Sequence, residues 1–427
     1  MIYFQDISRI LLCIMISTML PFIGCKELSI HLQDQKSDEP GIEETVDIDP
    51  VITPFSEDVP LGITEFGFNL FDAIWETEQN QNIFISPLSV SIALTMTLNG
   101  ASGETEQAMT DTLQLQDIDR DSINSTYQQL QEKLKTDDTK VALTIANSLW
   151  GHQEIQFIPT FLQQNTHYFN AEISSLDFSD PTTLSIINQW VSYNTDGKIP
   201  KILDRIASNE VLFLINAVYF KGAWQNEFDP SQTKDGKFYL SSGNEKTVPM
   251  MSRTGNYEVF SGENFQAINL PYGEGEISMY VFLPSKESDL NELLDGINID
   301  SWEEWLSDFR VRNVRLQIPK FKIEYGTKEL NDALTALGMG IAFDADNADF
   351  SRMAELERIG GNLYITKVSH KTFIEVNEEG TEAAAATSVG VGIKSLPPPF
   401  IVDRPFFFTI RDNETKTVIF MGTMTEP

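Results

Sequence analysis

The chain has 427 residues, 63 acidic against 30 basic side chains, and a formal net charge of −33. Nucleic-acid binding needs a basic footprint that displaces counterions from phosphates, and this field has the opposite sign; adhesion to anionic lipid through a basic patch is disfavoured on the same ground. With 41 % apolar and 11 % aromatic residues the chain can bury a sizeable core, while four histidines and two cysteines leave little material for a His/Cys metal site.

Ile10–Gly24 forms one apolar run, interrupted only by Ser17, Thr18 and Pro21. It is too short for a membrane span, which needs about 20 residues, and it fits the apolar core of a secretory signal. The run ends Phe22-Ile23-Gly24-Cys25. A small residue followed by Cys at this place resembles the lipobox of bacterial lipoproteins, with Phe22 where that motif usually has Leu. The resemblance implies cleavage after residue 24, a lipid on the Cys25 sulfur and a membrane-anchored, exported chain. Cys13 lies inside the signal, so the mature body has no disulfide and must rely on its core. Residues 25–60 then carry ten acids and two lysines among Pro40, Pro50 and Pro54. Such a segment reads as a disordered, self-repelling tether.

From Leu61 to Pro427 the composition is that of one large globular domain, with no second linker and no repeat. Apolar spacing over Ile63–Thr77 predicts a helix. Pro87 opens a second helix, Leu88–Asn99, with Ser86 as its N-cap. That helix is apolar nearly all round and should be buried. Val141–Leu149 and Val211–Phe220 read as strands, and the second is so continuously apolar that both its faces should be covered. Further strands are expected at Ala267–Leu270, Ser278–Leu283, Val314–Ile318, Leu363–Val368, Thr372–Val376, Phe406–Ile410 and Thr417–Met421. The mixture is α+β with more than one sheet.

Catalytic motifs are not found. There is no G-x-S-x-G elbow and no H-E-x-x-H helix. Gly390–Ser395 imitates a phosphate loop, but Ile393 precedes the Lys and Pro397-Pro398-Pro399 forbids the helix that should follow. Asp344, Asp346 and Asp349 lack the Gly and distal Glu of a calcium loop. His370, between two predicted strand segments, reads as a structural histidine. No metal and no cofactor are expected.

The informative stretch is Glu378–Pro405. Gly380 breaks a strand, and a small, featureless run follows. At a period of two, Thr381, Ala383, Ala385 and Thr387 share one face without charge or bulk. Glu382 carries the only charge on the other. A strand-competent sequence in a loop position implies two states, exposed loop or inserted strand.

At this point the chain resembles a serpin over its whole body from about Leu61. The hinge Glu378-Glu379-Gly380-Thr381-Glu382-Ala383-Ala384-Ala385-Ala386-Thr387 matches that of inhibitory members. Phe400-Ile401-Val402-Asp403-Arg404-Pro405-Phe406 matches their C-terminal pattern. Asn82–Ser89 and Asn216–Trp224 match the second helix and the central strand. The resemblance implies helices packed around three β-sheets, with an exposed reactive-centre loop near the C-terminus. It implies a monomer that is not an enzyme but a suicide inhibitor. A protease acylated by the loop is trapped, covalently bound, when the loop inserts into the main sheet. Family spacing, counting Glu378 as the first residue, places the acylated residue seventeenth, at Lys394. The spacing back from Pro405 agrees, so the reactive bond is Lys394–Ser395. A Lys there implies trypsin-like serine proteases, whose specificity pocket ends in a carboxylate. By the same resemblance Ser86, Ser89, Asn216 and His370 form a polar cluster under the opening sheet. Trp224 stands at the opening, and Glu378 pairs with Lys320. The alternatives are a non-inhibitory binding or carrier serpin, which tends to have bulky or charged hinge residues, and a plain protease substrate.

Overall fold

Ser86 and Pro87 start the helix their chemistry predicts. The Ser86 side chain accepts from the Ser89 amide, Pro87 occupies the first turn, and all twelve residues of Pro87–Leu98 are buried. The computed structural model describes residues 51–135, 138, 140–207, 210–355, 362–381 and 397–427. Residues Ile48–Pro427 form one compact unit. In chain order the helices are α1 (Asp58–Trp75), α2 (Pro87–Leu98), α3 (Gly103–Thr112), α4 (Arg120–Lys133), α5 (Pro159–Phe169), α6 (Pro181–Asn194), α7 (Leu290–Asp295), α8 (Ile299–Ser307) and α9 (Asn331–Ala336).

Six strands form the sheet that matters for the loop. They are β2 (Val141–His152), β3 (Glu172–Leu176), β4 (Leu212–Ala223), β10 (Phe321–Glu329), β11 (Lys367–Val376) and β12 (Gly380–Thr381). Their order is β10-β11-β4-β2-β3, with the short β12 on β4. β4 is the central strand, and its continuous apolar run follows from cover on both faces. Phe213, Ile215 and Ala217 pack with Ile187 and Val191 of α6 in a small core of their own. On the opposite face Asn216 reaches Ser89 of α2.

The remaining strands are β1 (Ile83–Ile85), β5 (Lys234–Tyr239), β6 (Glu245–Ser261), β7 (Phe265–Pro271), β8 (Ile277–Pro284), β9 (Arg310–Pro319), β13 (Pro399–Ile401), β14 (Phe406–Asp412) and β15 (Val418–Met424). They hydrogen-bond as a nine-stranded sheet, β1-β15-β14-β8-β7-β6-β9-β13, with β5 on β6. The seventeen-residue β6 pairs β7 near its end and β9 along most of its length. It thereby makes two of the three expected sheets continuous in their hydrogen bonding.

Two differences from the sequence reading have clear causes. Leu363–Thr366 is not strand, although Leu363 and Ile365 are wholly buried; apolar content there reports core packing rather than pairing. The body also begins before Leu61. α1 starts at Asp58, and the preceding residues lie along α4 and α5. The Val51 amide donates to the Tyr168 hydroxyl at 3.2 Å, the Thr53 amide to Ser125 Oγ at 3.1 Å and the Ser56 amide to Thr126 Oγ1 at 3.2 Å. Their partners are polar side chains on distant helices, so the local sequence carries no sign of the contact.

Candidate functional site: a sheet opened at one end

β4 and β11 run parallel but pair only at their lower ends, Phe213–Ala217 against Lys367–Lys371. Above this the chain beyond β11 turns back. β12 pairs antiparallel with the upper end of β4, Gly380 opposite Ala223 and Thr381 opposite Gly222. Between the two paired stretches, Val218–Lys221 of β4 have no strand partner on that side among the described residues. The β sheet thus carries a slot, pinned below by direct pairing and capped above by the first residues of the hinge.

Gly380 is required at the cap. Its φ is +142°, and a Cβ would lie 2.1 Å from the Gly222 carbonyl oxygen and 2.6 Å from Ala223 Cα. Only glycine lets the two backbones meet at this angle. Thr381 is buried and its hydroxyl lies 3.0 Å from the Tyr272 hydroxyl. Tyr272 stacks on Trp224, centroids 4.4 Å apart. Trp224 holds the hinge twice, its amide donating to the Glu379 carbonyl at 2.8 Å and its indole Nε1 to the Asn377 carbonyl at 3.0 Å. The Phe228 amide donates to the Glu378 carbonyl at 2.8 Å.

The expected ion pair is formed. Lys320 Nζ lies 2.7 Å from Glu378 Oε2, and Thr233 Oγ1 donates to Oε1 at 2.7 Å. Burial opposes ionisation of Glu378, but the bonds from Lys320 and Thr233 outweigh it and hold the carboxyl below its usual range.

The lower pin rests on the polar cluster. His370 on β11 sits opposite Asn216 on β4, and both are buried. The Ser86 amide donates to His370 Nε2 at 3.1 Å, which makes that nitrogen unprotonated. Nδ1 carries the hydrogen and donates to Asn216 Oδ1 at 2.8 Å. The Asn216 amide donates to the Ser89 carbonyl at 2.9 Å and to Asn147 Oδ1 at 2.6 Å, and it also meets the Ser89 hydroxyl. Ser86 Oγ donates to the Ile419 carbonyl at 2.7 Å. Burial alone lowers the His370 pKa to about 3, so the ring is neutral and every ring nitrogen is used.

The structure therefore unites Ser86, Ser89, Asn216 and His370 at the lower end of the slot. It unites Lys320, Trp224, Glu378, Glu379, Gly380 and Thr381 at the upper end. Glu382–Thr387, Lys394, Ser395 and Cys25 lie outside the described residues. Thr233, Tyr272 and Asn147 join the site without having been foreseen. Nothing in a Tyr between Pro271 and Gly273 announces a hydroxyl aimed at Thr381.

A family model described as serpin (serine protease inhibitor) matches residues 61–427. The chain is a serpin. It is 37 % identical over 385 residues to the leukocyte elastase inhibitor of Xenopus tropicalis, covering 87 % of this chain and 100 % of that one. Identity to human serpin B8 is 35 %, covering 85 % and 97 %. Among solved structures, the native state of tengpin, a thermophilic serpin, matches with a TM-score of 0.81 at 34 % identity, over 90 % of this chain and 98 % of tengpin. Human thyroxine-binding globulin complexed with its ligand matches with a TM-score of 0.80 at 28 % identity, over 87 % and 100 %. The serpin fold thus comprises the helices and mixed sheets described above, in a family of protease inhibitors rather than catalysts.

Proposed function

We propose that this serpin traps trypsin-like serine proteases by cleavage at Lys394–Ser395. The protease serine Oγ attacks the Lys394 carbonyl. The Lys394–Ser395 bond breaks, and the new amine of Ser395 leaves with a proton. The freed loop then enters the slot between β4 and β11, carrying the acylated enzyme with it before water can hydrolyse the ester. The observation that carries this reading is the slot itself, capped by Gly380–Thr381 and followed in sequence by the small residues Ala383–Ala386. Small side chains add to a sheet that is covered on both faces; bulky ones would not.

Some relatives are named for leukocyte elastase. A Lys at the acylated position instead favours a pocket ending in a carboxylate. Incubation with trypsin and with pancreatic elastase, followed by denaturing electrophoresis, separates the two. A stable complex with trypsin is expected, lost in Lys394→Ala while thermal unfolding stays unchanged. Clean cleavage after Lys394 with continued trypsin activity would reduce the chain to a substrate. The likeness to thyroxine-binding globulin supports a carrier as the second reading, and the alanine-rich hinge counts against it.

We also propose that the mature chain is a monomer, exported, lipidated on Cys25 and held at a membrane by an acidic tether. What supports this is the apolar run ending in Gly24-Cys25 and the charge of the segment after it. Metabolic labelling with a fatty acid should mark the wild type and not Cys25→Ala.

A further inference from the structure

β13 runs parallel to β9 and pairs with it only at Pro399–Ile401 against Arg315–Gln317. The Arg315 amide donates to the Pro398 carbonyl at 3.0 Å, and the Val402 amide donates to the Gln317 carbonyl at 2.8 Å. Main-chain groups of alternate residues point to the same side of a strand. Those of Val311 and Asn313 therefore face this side too, and they meet no strand there among the described residues. Pro397 and Pro398 lack the N–H that would carry the ladder further. The upper edge of β9, residues 310–313, is thus open, and all four residues are exposed. β9 holds three arginines and no acid. Arg310 is bound to Asp308 at 3.1 Å and to two backbone carbonyls. Arg312 forms no hydrogen bond or ion pair among the described residues. It stands opposite Tyr257 of β6, and Arg253 lies over the same ring, 5.9 Å from its centroid. Four of the eleven arginines of a chain with net charge −33 therefore stand on two neighbouring strands.

The beginning of β13 points toward the Arg310 end of β9, because the two strands are parallel. Ser395 is three residues before Pro398, and three residues of chain span at most about 11 Å. A protease seated on the Lys394–Ser395 bond is therefore held beside the open edge. We propose that residues 310–313 of β9 form a docking surface for the rim of that protease, selecting trypsin-like enzymes whose rim is acidic there. The inference rests on the reading of Lys394–Ser395 as the reactive bond. Arg312, without an internal partner, supplies the charge, and its planar fork suits a carboxylate. Val311 and Asn313 offer backbone N–H and C=O groups to an extended segment laid along the edge. Arg253 and Arg310 add to a local positive field on an otherwise acidic molecule. Lys394 chooses the specificity pocket, and the edge of β9 chooses among the enzymes that share it.

The test sets the full mature chain against anionic and cationic pancreatic trypsin, which share a lysine pocket and differ in surface charge. The second-order rate of cleavage after Lys394 is followed, because it reads the encounter whether or not the enzyme is then trapped. Arg312→Glu should slow the anionic enzyme roughly fivefold at low salt and leave the cationic enzyme no slower. Salt at about 0.5 M should erase the difference, and Arg312→Lys should keep most of the rate. Arg312 is exposed, so thermal unfolding should not change. Arg205→Glu is the control. Arg205 is exposed and precedes the lower end of β4, so the same charge change there should alter neither rate. No slowing of the anionic enzyme, equal slowing of both enzymes, or equal effects of Arg312→Glu and Arg205→Glu would each overturn the docking surface and leave the inhibitory mechanism standing. Absence of cleavage after Lys394 by either trypsin would overturn the reactive-bond reading, and this inference with it.

Discussion

The two ends of the slot are closed in different ways. At the lower end, backbone pairing between β4 and β11 is backed by a buried, neutral network through Ser86, Ser89, Asn216 and His370. At the upper end two residues of β12 are held by a few amide bonds, one hydroxyl contact and an ion pair whose Lys320 side chain is 37 % exposed. Buried networks are strong when complete and costly when any member is lost. A pair with one partner exposed and the other, Glu378, buried is weaker than such a network, because water and salt compete for it at Lys320. The upper end is therefore where the sheet yields first, and the lower end sets how hard the last strand separation is.

Breaking the lower network should have the largest effect. Asn216→Ala leaves the His370 Nδ1–H, the Ser89 carbonyl and Asn147 Oδ1 without their partner, a cost of about 3 kcal/mol for several buried groups. Thermal unfolding at a fixed scan rate should show a fall of several degrees. A near-native transition would mean that the network is not what pins the slot.

Acid should weaken the same end next. Folded His370 is held neutral down to about pH 3, whereas an unfolded histidine protonates near pH 6.5. The unfolded state then binds more protons, so stability is complete above about pH 6.5 and falls as pH drops toward 3. The slope is at most about 1.4 kcal/mol per pH unit. The Glu378 carboxyl is shifted down, so its contribution persists above the unfolded carboxylate range and is lost only as pH falls below it. Between about pH 6.5 and 4.5 the lower end thus weakens while the upper end holds. His370→Gln should flatten the pH dependence in that window.

At the upper end, Glu378→Lys opposes Lys320 with a like charge and leaves Thr233 without its acceptor. About 1 kcal/mol is at stake, read as a several-fold faster conversion to a loop-inserted or polymeric form on warming. An unchanged rate would remove the ion pair from the account of the cap. Smallest is Tyr272→Phe, which keeps the stack on Trp224 and deletes only the hydroxyl contact with Thr381, about 0.5 kcal/mol. Its signature is faster hydrogen exchange at the Thr381 amide without a change in global unfolding.

Much of this architecture was legible in residue order. Ser86-Pro87 marks a helix start by local capping, and the run Val211–Phe220 marks a strand covered on both faces, observed as Leu212–Ala223. The hinge shows alternation of small residues, a pattern with a period of two. What stayed hidden is long-range polar partnership. Thr233 is 145 residues from Glu378, Tyr272 is 109 from Thr381, and Ser86 is 284 from His370. No periodicity links such pairs.

The sequence by itself determined the α+β class, the helix at Pro87, the central strand and the run of small residues that follows Gly380. These depend on capping, periodicity and side-chain size, which act over a few residues. Only the tertiary structure decided that β4 and β11 part above Ala217 and that Gly380 and Thr381 cap the gap. Those outcomes depend on where distant segments meet and on which polar groups find partners there, and spacing along a chain does not encode either.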